Sequence, residues 1–571
     1  MKPANISYGV DDRPPAFLVI LTAIQHTAFG AGMGIVFPLL VLQAAGATQE
    51  ATGRAVALSM VALGVATMLQ ALRRPYLGSG FLAPAVFAAA YLPASLDAAR
   101  MGGMALVAGM TIFAGAVEIA LGCFITRLRP FLPTEIAGFA VLMIGIVNGM
   151  LGFNLMIIHP LQAAGGQWHA AYPALALGLA SVALMVALNV WGHGKFKAYS
   201  VLIGIVFGYA AGAALGVLAP ERFLATIAQP PQIPVPPESL PAFLPALAVP
   251  FAVGALASLL RAVGDLTICQ KINDSNWTRP HFRSIRGGVF ADGLGTLIAG
   301  ALGTVGLSTF SGSIALSAVT GVTARIVGFV IGATFIVMAI IPSIRDLLAA
   351  MPEPLMGAIL LFSGTFVFIN GMQVVMSRLL DSRKVFVIGV SLVVGLSHDV
   401  YTSFYESLPG AVAPLVSSSL IMALICALVL NAIFRLGIKR KVSFAYDPKA
   451  QSVDDVIRSF EEQGGAWGAR RDVVQRVEAA FVEFSEHVGD IVAPGTTMTV
   501  TMSFDETSIV IEIAYEGQIL HLSRHAPDAE KVLEDEDALA DLSGFLIARL
   551  ADNARTATRG RLQILRLDFH H

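Results

Sequence analysis

Residues 247–268 read LAVPFAVGALASLLRAVGDLTI, a run long enough to cross a bilayer and apolar except for Ser258, Arg261, Asp265 and Thr267. Arg261 and Asp265 stand four residues apart, so a helix puts them on one face. A charge at bilayer depth costs at least about 2.5–3.5 kcal/mol on insertion scales, and such residues usually line a cavity and serve function. The blander reading is mutual neutralisation inside the bundle, which the same cost also favours.

The rest of the chain supports a membrane reading. Of its 571 residues 56% are hydrophobic and 13% charged, with mean hydropathy +0.72, whereas about a quarter of residues are charged in soluble domains. The net charge of −2 averages over two unlike ends of the chain. No basic tract suggests a nucleic-acid partner. Cys123, Cys269 and Cys426 lie in apolar segments without metal-ligand spacing, so no metal or other cofactor is expected. The first apolar run is too long for a cleaved signal peptide and is taken as the first span.

Windows of about 20 apolar residues give seven spans, near 17–42, 55–72, 81–95, 102–125, 132–152, 171–191 and 199–218. Seven more lie near 247–270, 287–304, 309–320, 323–343, 353–371, 384–399 and 411–435. The third and tenth are short and rich in Gly, Ser and Ala. Basic residues test this count through the positive-inside rule. Loops after even-numbered spans hold Arg73, Arg74, Arg127, Arg129, Lys195, Lys197, Lys271, Arg279, Arg283, Arg286, Arg325, Arg378, Arg383 and Lys384. Arg435, Lys439, Arg440 and Lys441 follow the last span, while loops after odd-numbered spans hold only Arg54, Arg100, Arg222 and Arg345. The expectation is a multi-pass protein of the cytoplasmic (inner) membrane, with both termini in the cytoplasm.

A weak repeat recurs at an offset of about 230 to 235 residues. It sets Gln25-His26 against Leu260-Arg261, and Gly78-Ser79-Gly80 against Phe310-Ser311-Gly312. Seven spans per half inverts the second copy, and paired short, glycine-rich segments in an inverted repeat point to a transporter's midplane site. Their helix N-termini would face each other and offer free N–H groups to a ligand. Close helix packing is the alternative use of such glycines.

These residues resemble the nucleobase–ascorbate transporter family, the xanthine and uracil permeases, over roughly residues 15–435. Gln25-His26 resembles the family's first-span pair. Ala257 to Asp265 (ASLLRAVGD) resembles its eighth-span motif. Thr309 to Ser317 (TFSGSIALS), with Gly321 and Arg325 beyond, resembles its tenth-span signature, and Met351 to Gly357 (MPEPLMG) its entry to the twelfth span. The resemblance implies an all-α polytopic fold of fourteen transmembrane segments in two inverted seven-span repeats. A core domain (spans 1–4 and 8–11) would move against a gate domain (spans 5–7 and 12–14), usually in a homodimer, to take up purines or pyrimidines with protons.

The departures bear on the ligand. Family members commonly place a carboxylate in the eighth span to hydrogen-bond the base; Arg261 stands there. The usual Glu or Gln at the mouth of the tenth span is Thr309, and the following Asn is Phe310. A carboxylate accepts hydrogen bonds whereas a guanidinium only donates, so the site should prefer acceptor-rich or anionic ligands. Two classes follow: an oxidised, anionic purine such as urate or xanthinate, or a small anion or carboxylate, as in the related sulfate and bicarbonate transporters. The candidate substrate-binding residues are Arg261, Asp265, Thr309, Phe310, Ser311, Gly312, Ser313, Phe87, Gln25 and His26. Phe87 and Phe310 could stack a flat base or simply pack. The hydroxyls of Ser308, Thr309, Ser311 and Ser313 could bind ligand or bond back to the preceding turn.

Asp265 and His26 are the candidate proton-coupling groups. His26 could relay a proton or hold a fixed hydrogen bond between spans. An Asp locked to an arginine carries protons poorly unless substrate competes for that arginine, so an anionic substrate that displaces Asp265 would link binding to protonation.

After residues 1–440, the expected transporter domain, comes an expected linker at 441–452 and a cytoplasmic α/β domain at 453–571. Helical spacing predicts helices over Val453 to Phe460, Arg471 to Val488 and Leu539 to Leu550. Alternation predicts a hairpin of Met498 to Phe504 and Ser508 to Ala514 around Asp505-Glu506, and a final strand over Leu562 to Leu567. This order resembles the histidine-kinase-type ATPase fold, most nearly the anti-sigma-factor kinases, with Val477 to His487 as the N-box helix. Glu483 matches the N-box glutamate. His487 replaces the magnesium-binding Asn, Tyr515 replaces the adenine-reading aspartate, and acidic Glu534 to Asp537 stands where a lid needs N–H donors. A non-catalytic regulatory or dimerising domain is expected, the alternative being a simple stability module on the cytoplasmic face. The leading reading is therefore a secondary active transporter, not an enzyme. Its rivals are a membrane sensor with a signalling tail and a phosphate-transferring enzyme, against which the degenerate nucleotide boxes speak.

Overall fold

The computed structural model describes the chain except residues 1, 2, 5, 126–133, 194, 219–228, 238, 276, 278, 279, 377–381, 410, 411, 413, 414, 435–439, 468, 470, 487, 494, 506, 507, 524–535 and 571. Arg127, Arg129, Arg222, Arg279, Arg378, Arg435 and Lys439 of the charge pattern lie outside the described residues, as do His487, Glu506, Glu534 and Asp535. Two compact units are present, Met1–Asn431 and Ala432–His571.

The first unit is mostly helical. Its longer elements are α1 (Ala16–Gly34), α2 (Val36–Ala44), α3 (Gln49–Ala71), β1 (Ala85–Phe87), α4 (Leu92–Cys123), α5 (Thr134–Phe153), α6 (Trp168–Val190) and α7 (Ser200–Ala214). There follow α8 (Ala248–Asn273), α9 (Phe282–Ala301), β2 (Leu307–Thr309), α10 (Ser311–Thr320), α11 (Ile326–Ile340), α12 (Pro342–Ala349), α13 (Glu353–Val375), α14 (Ser382–Val400) and α15 (Ser419–Phe434). Among the described residues seven helices are long and apolar enough to cross a membrane, or eight if α11 and α12, bent by 88°, form one span. This is a polytopic membrane fold.

Helices approach closely where side chains vanish. Gly138, Gly145 and Gly152 recur every seven residues on α5, as do Gly357, Gly364 and Gly371 on α13. The two stripes meet antiparallel. A Cβ on Gly145 would lie 2.3 Å from Phe368 N, one on Gly152 2.7 Å from Gly357 O, and one on Gly371 2.8 Å from Gly138 O. Without a hydrophobic drive between helices in lipid, such backbone contact supplies the packing.

The expected all-helical character needs correction at the two short segments. Residues 85–87 and 307–309 form an antiparallel pair, with Ala85 opposite Thr309 and Phe87 opposite Leu307. Their outer backbone groups are satisfied by side chains: Ala85 N donates to Thr67 Oγ1 at 3.1 Å, and Leu307 N to Thr296 Oγ1 at 3.1 Å. Extended backbone survives at membrane depth because it is buried in protein and fully bonded. Gly78-Ser79-Gly80 precedes β1, whereas Phe310-Ser311-Gly312 follows β2. Only the end of the third expected span is helical: α4 starts at Leu92 and runs on through the fourth, interrupted at Gly102 and at Gly103, whose φ is +63°. The first expected span breaks at Ile35.

The second unit is a small sheet domain. It comprises β3 (Arg440–Tyr446), α16 (Val453–Trp467), α17 (Arg471–Glu486), β4 (Met498–Phe504), β5 (Ser508–Glu516), α18 (Glu536–Leu550), β6 (Asn553–Arg559) and β7 (Leu562–His570). The antiparallel sheet has the order β3-β4-β5-β7-β6. Its core joins Phe460, Phe481 and Phe484 of the helices to Ile511, Ile513 and Leu565 of the sheet. Residues 441–446 are thus not linker. They pair with β4, Val442 opposite Met502, and Phe444 and Tyr446 reach this core.

Candidate functional site

The site grows from α8. Proximity along one helix turn places Arg261 Nε 3.8 Å from Asp265 Oδ2, with both side chains nearly buried at 7% and 6% exposure. Thr309, the last residue of β2, donates from Oγ1 to the same Asp265 oxygen at 2.8 Å. Ser311, the first residue of α10, also faces that carboxylate. Arg261 Nε itself finds no hydrogen-bond partner among the described residues. Arg261 therefore has Coulombic company in Asp265 at Nε without a hydrogen bond there, and that Nε–H remains available for an acceptor.

The first helix contributes His26, whose Nδ1 hydrogen-bonds Ser313 Oγ on α10. The His26 ring is buried, and Nε2 lacks a partner among the described residues. Gln25 is buried on the same helix. Phe310 packs against Phe29 at a centroid distance of 4.9 Å, and Gly312 is pressed between those rings, where a Cβ would come within 2.9 Å of each. Phe87 is wholly enclosed in β1. α10 ends where Gly321 takes φ +68°, a left-handed cap that glycine adopts without strain. The structure thus gathers Arg261, Asp265, Thr309 and Ser311 into one contact group and His26 with Ser313 into a second on the same helix, α10.

Sequence reasoning passed over two acids next door. Glu118 on α4 and Asp292 on α9 are both buried, brought together where Gly115 meets Gly293 and Leu297 backbone to backbone. Tyr91 Oη donates to Glu118 Oε2 at 3.0 Å. Ser258 Oγ lies 3.4 Å from Asp292 Oδ2 and 3.3 Å from the Leu307 carbonyl. The signal was present: each is an acid in an expected span, the same criterion that singled out Arg261.

A cavity of about 770 Å³ opens beyond the far end of α8, lined by Arg73, Arg74, Asn273, Trp277, His281 and Arg283 among others. Its charged lining leans basic, with Arg73, Arg74 and Arg283 against Asp11 and Asp274, and Gln270, five residues after Asp265, is on its wall. Among the described residues no group of His, Cys, Asp and Glu is arranged to hold a metal.

Comparison with known proteins fits this architecture. The chain is 26% identical over 440 residues to a putative purine permease of Clostridium perfringens, covering 76% of this chain and 93% of that one. It is 26% identical over 445 residues to the xanthine permease XanP of Escherichia coli (76% and 95% covered). It is 24% identical over 435 residues to the uric acid permease PucJ of Bacillus subtilis (75% and 95%). Among solved structures, SLC26A9 shares the fold at a TM-score of 0.50 and 11% identity, over 75% of this chain and 67% of that one. The profile of the xanthine/uracil permeases, described as "Permease family", matches residues 18–403. The chain belongs to this permease family and is a transmembrane transporter, not an enzyme.

Proposed function

We propose that the protein is a secondary active transporter of an anionic purine-type nucleobase, xanthine- or urate-like, moved together with a proton. The observation that carries this reading is Arg261, a buried guanidinium in mid-span with Nε unpartnered among the described residues, standing beside Asp265. Its donors take the acceptor edge or negative charge of the substrate. Thr309, Ser311 and Ser313 supply hydroxyls, Gly312 admits close approach, and Phe310 and Phe87 flank the plane of the base. Gln25 and His26 close the site from the first span. Relatives whose names specify purine, xanthine and uric acid support the substrate class.

In this reading the unit has fourteen spans in two inverted repeats, a core moving against a gate, in a homodimer of the inner membrane with cytoplasmic termini. Asp265 and His26 respond to protons when substrate draws Arg261 away. The C-terminal sheet domain is a degenerate ATPase-like module that regulates or dimerises; calorimetry showing that residues 432–571 bind ATP would overturn its non-catalytic assignment. The transport reading is tested by counterflow of labelled urate, xanthine, uracil and succinate into proteoliposomes. Urate or xanthine exchange that is lost in Arg261→Ala supports it. Succinate exchange without purine exchange would assign the site to small carboxylates instead, and ligand binding without flux would make the protein a sensor.

A further inference from the structure

The Glu118 and Asp292 carboxyl groups lie against each other in the interior of the helical unit. Glu118 is 0% exposed and Asp292 2%. The hydrogen-bond donors facing them are three hydroxyls. Tyr91 serves Glu118 Oε2, Ser258 divides its single hydrogen between Asp292 and the Leu307 carbonyl, and Ser308 also faces Asp292. Glu118 Oε1 is left fully buried with no donor among the described residues. Two carboxylates in contact and away from water cannot both be ionised. A buried acceptor without a donor also costs about 1–3 kcal/mol, more when charged. One proton between the two acids removes both penalties, since it turns one carboxyl into the missing donor.

The charged and titratable groups that face this pair are Tyr91 from the segment ahead of α4, and Arg261 and Asp265 from α8. Tyr91 is a neutral donor. Arg261 acts on Asp292 and on Asp265 alike, so one guanidinium connects the substrate site to the acid pair. Neither acid forms a close ion pair with Arg261, whose near contact is with Asp265.

We propose that Glu118 and Asp292 form a proton-binding site, one proton shared between their carboxyl groups, which couples proton movement to substrate movement through Arg261. This rests on the reading above that an anion binds Arg261. An anion there offsets the guanidinium's field at Asp292, so that the protonated pair is favoured when substrate is bound. By reciprocity the protonated pair favours the bound anion. The proton enters and leaves as such: the pair holds one shared proton while enclosed and gives it up only when the site opens to water. Together with one substrate negative charge the transported set is electrically neutral.

The test uses the full-length protein in proteoliposomes and two near-isosteric variants, Glu118→Gln and Asp292→Asn. In the native protein a one-unit pH step, acid outside, should drive about tenfold accumulation of labelled urate or xanthine, because one pH unit is a tenfold change in proton activity. In either variant accumulation should fall to about onefold, while counterflow exchange of the same substrate continues. Retention of pH-driven accumulation in both variants overturns the proposal. A second measurement needs no substrate: infrared spectroscopy of the purified protein. It should show a protonated-carboxyl carbonyl band that persists to mildly alkaline pH and disappears in each variant. A native protein without that band, or a band that survives both substitutions, also refutes the pair. If instead the band behaves as expected but no purine exchanges at all, the substrate reading fails and the proton site stands. Should a variant not fold, the native band and its persistence with pH still decide.

Discussion

Arg261→Ala separates the structural from the functional worth of the buried arginine. At 3.8 Å from Asp265, Coulomb's law with an effective dielectric of about 20 gives an attraction of about 4 kcal/mol. Removing one member of a buried pair typically costs about 3–5 kcal/mol, mostly as the penalty of the charge left behind. Here the penalty should fall near the lower end, since Thr309 still donates to Asp265 at 2.8 Å. Asp265→Asn in the same background should restore part of the lost thermal stability by removing the stranded charge. Substrate affinity should suffer separately. Two hydrogen bonds from a charged donor, at about 1.5–3 kcal/mol each, make a loss of at least about a hundredfold in affinity for urate, since about 1.4 kcal/mol is tenfold. Uracil, neutral and without a charge to pair, should change far less. The assay is the concentration dependence of counterflow, with a ligand-dependent thermal shift as a check on binding alone. A folded Arg261→Ala protein whose urate half-saturation stays within about threefold of native, well under the tenfold that 1.4 kcal/mol represents, would refute the reasoning.

Three further outcomes follow from the same geometry. Thr309→Val removes the closest donor to Asp265 and should cost about 1.5–3 kcal/mol, measurable as a lower unfolding temperature; Thr309→Ser, which keeps the hydroxyl, should recover most of it. Gly145→Ala places a methyl 2.3 Å from the backbone nitrogen of Phe368, so α5 and α13 must separate; a loss of at least about 1–3 kcal/mol should appear in detergent melts, whereas Gly149→Ala, with open space around it, should be silent. In the C-terminal unit, burial pushes the Glu478 carboxyl up, with Glu461 adding and Arg471 opposing. A raised acid penalises the fold only when ionised, so the cost is absent below the ordinary carboxylate range and grows as pH rises through the raised value. Glu478→Gln should therefore raise that unit's melting temperature at neutral pH and leave it unchanged in acid.

Local signals in the sequence were sufficient where structure depends on local chemistry. Apolar runs located helices such as α8 and α13, and two-residue alternation located β4, β5 and β7. Arg261 and Asp265 were legible because both sit on one helix turn. The strands β1 and β2 were not. Three residues are too few to alternate, and Ala85–Phe87 acquires its extended form only by pairing with Leu307–Thr309 in a distant part of the chain. Strand β3 failed for a related reason, since Arg440 to Tyr446 looks polar until Phe444 and Tyr446 meet the core of the sheet domain. The seven-residue glycine spacing on α5 and α13 could have been read, because close helix contact in lipid is what such stripes are for.

Glu118 and Asp292 show how a site can be present in the sequence yet have no recognisable pattern. Each is a single acid in an otherwise apolar span, and neither lies near the other or near Arg261 along the chain. Their meeting depends on Gly115 and Gly293, where a Cβ on either would come within about 3 Å of backbone on the opposite helix. Those glycines carry no chemistry, yet they determine that two carboxyls rather than one face the same buried space. Arg261 then lies within electrostatic reach of both Asp265 and Asp292. A charge change at Arg261 is consequently felt on two sides, by a carboxylate on its own helix and by one on α9. That arrangement explains why an arginine can replace the carboxylate expected in the eighth span without removing acidic groups from the neighbourhood: the negative charge needed to balance it is already supplied by α8 and α9.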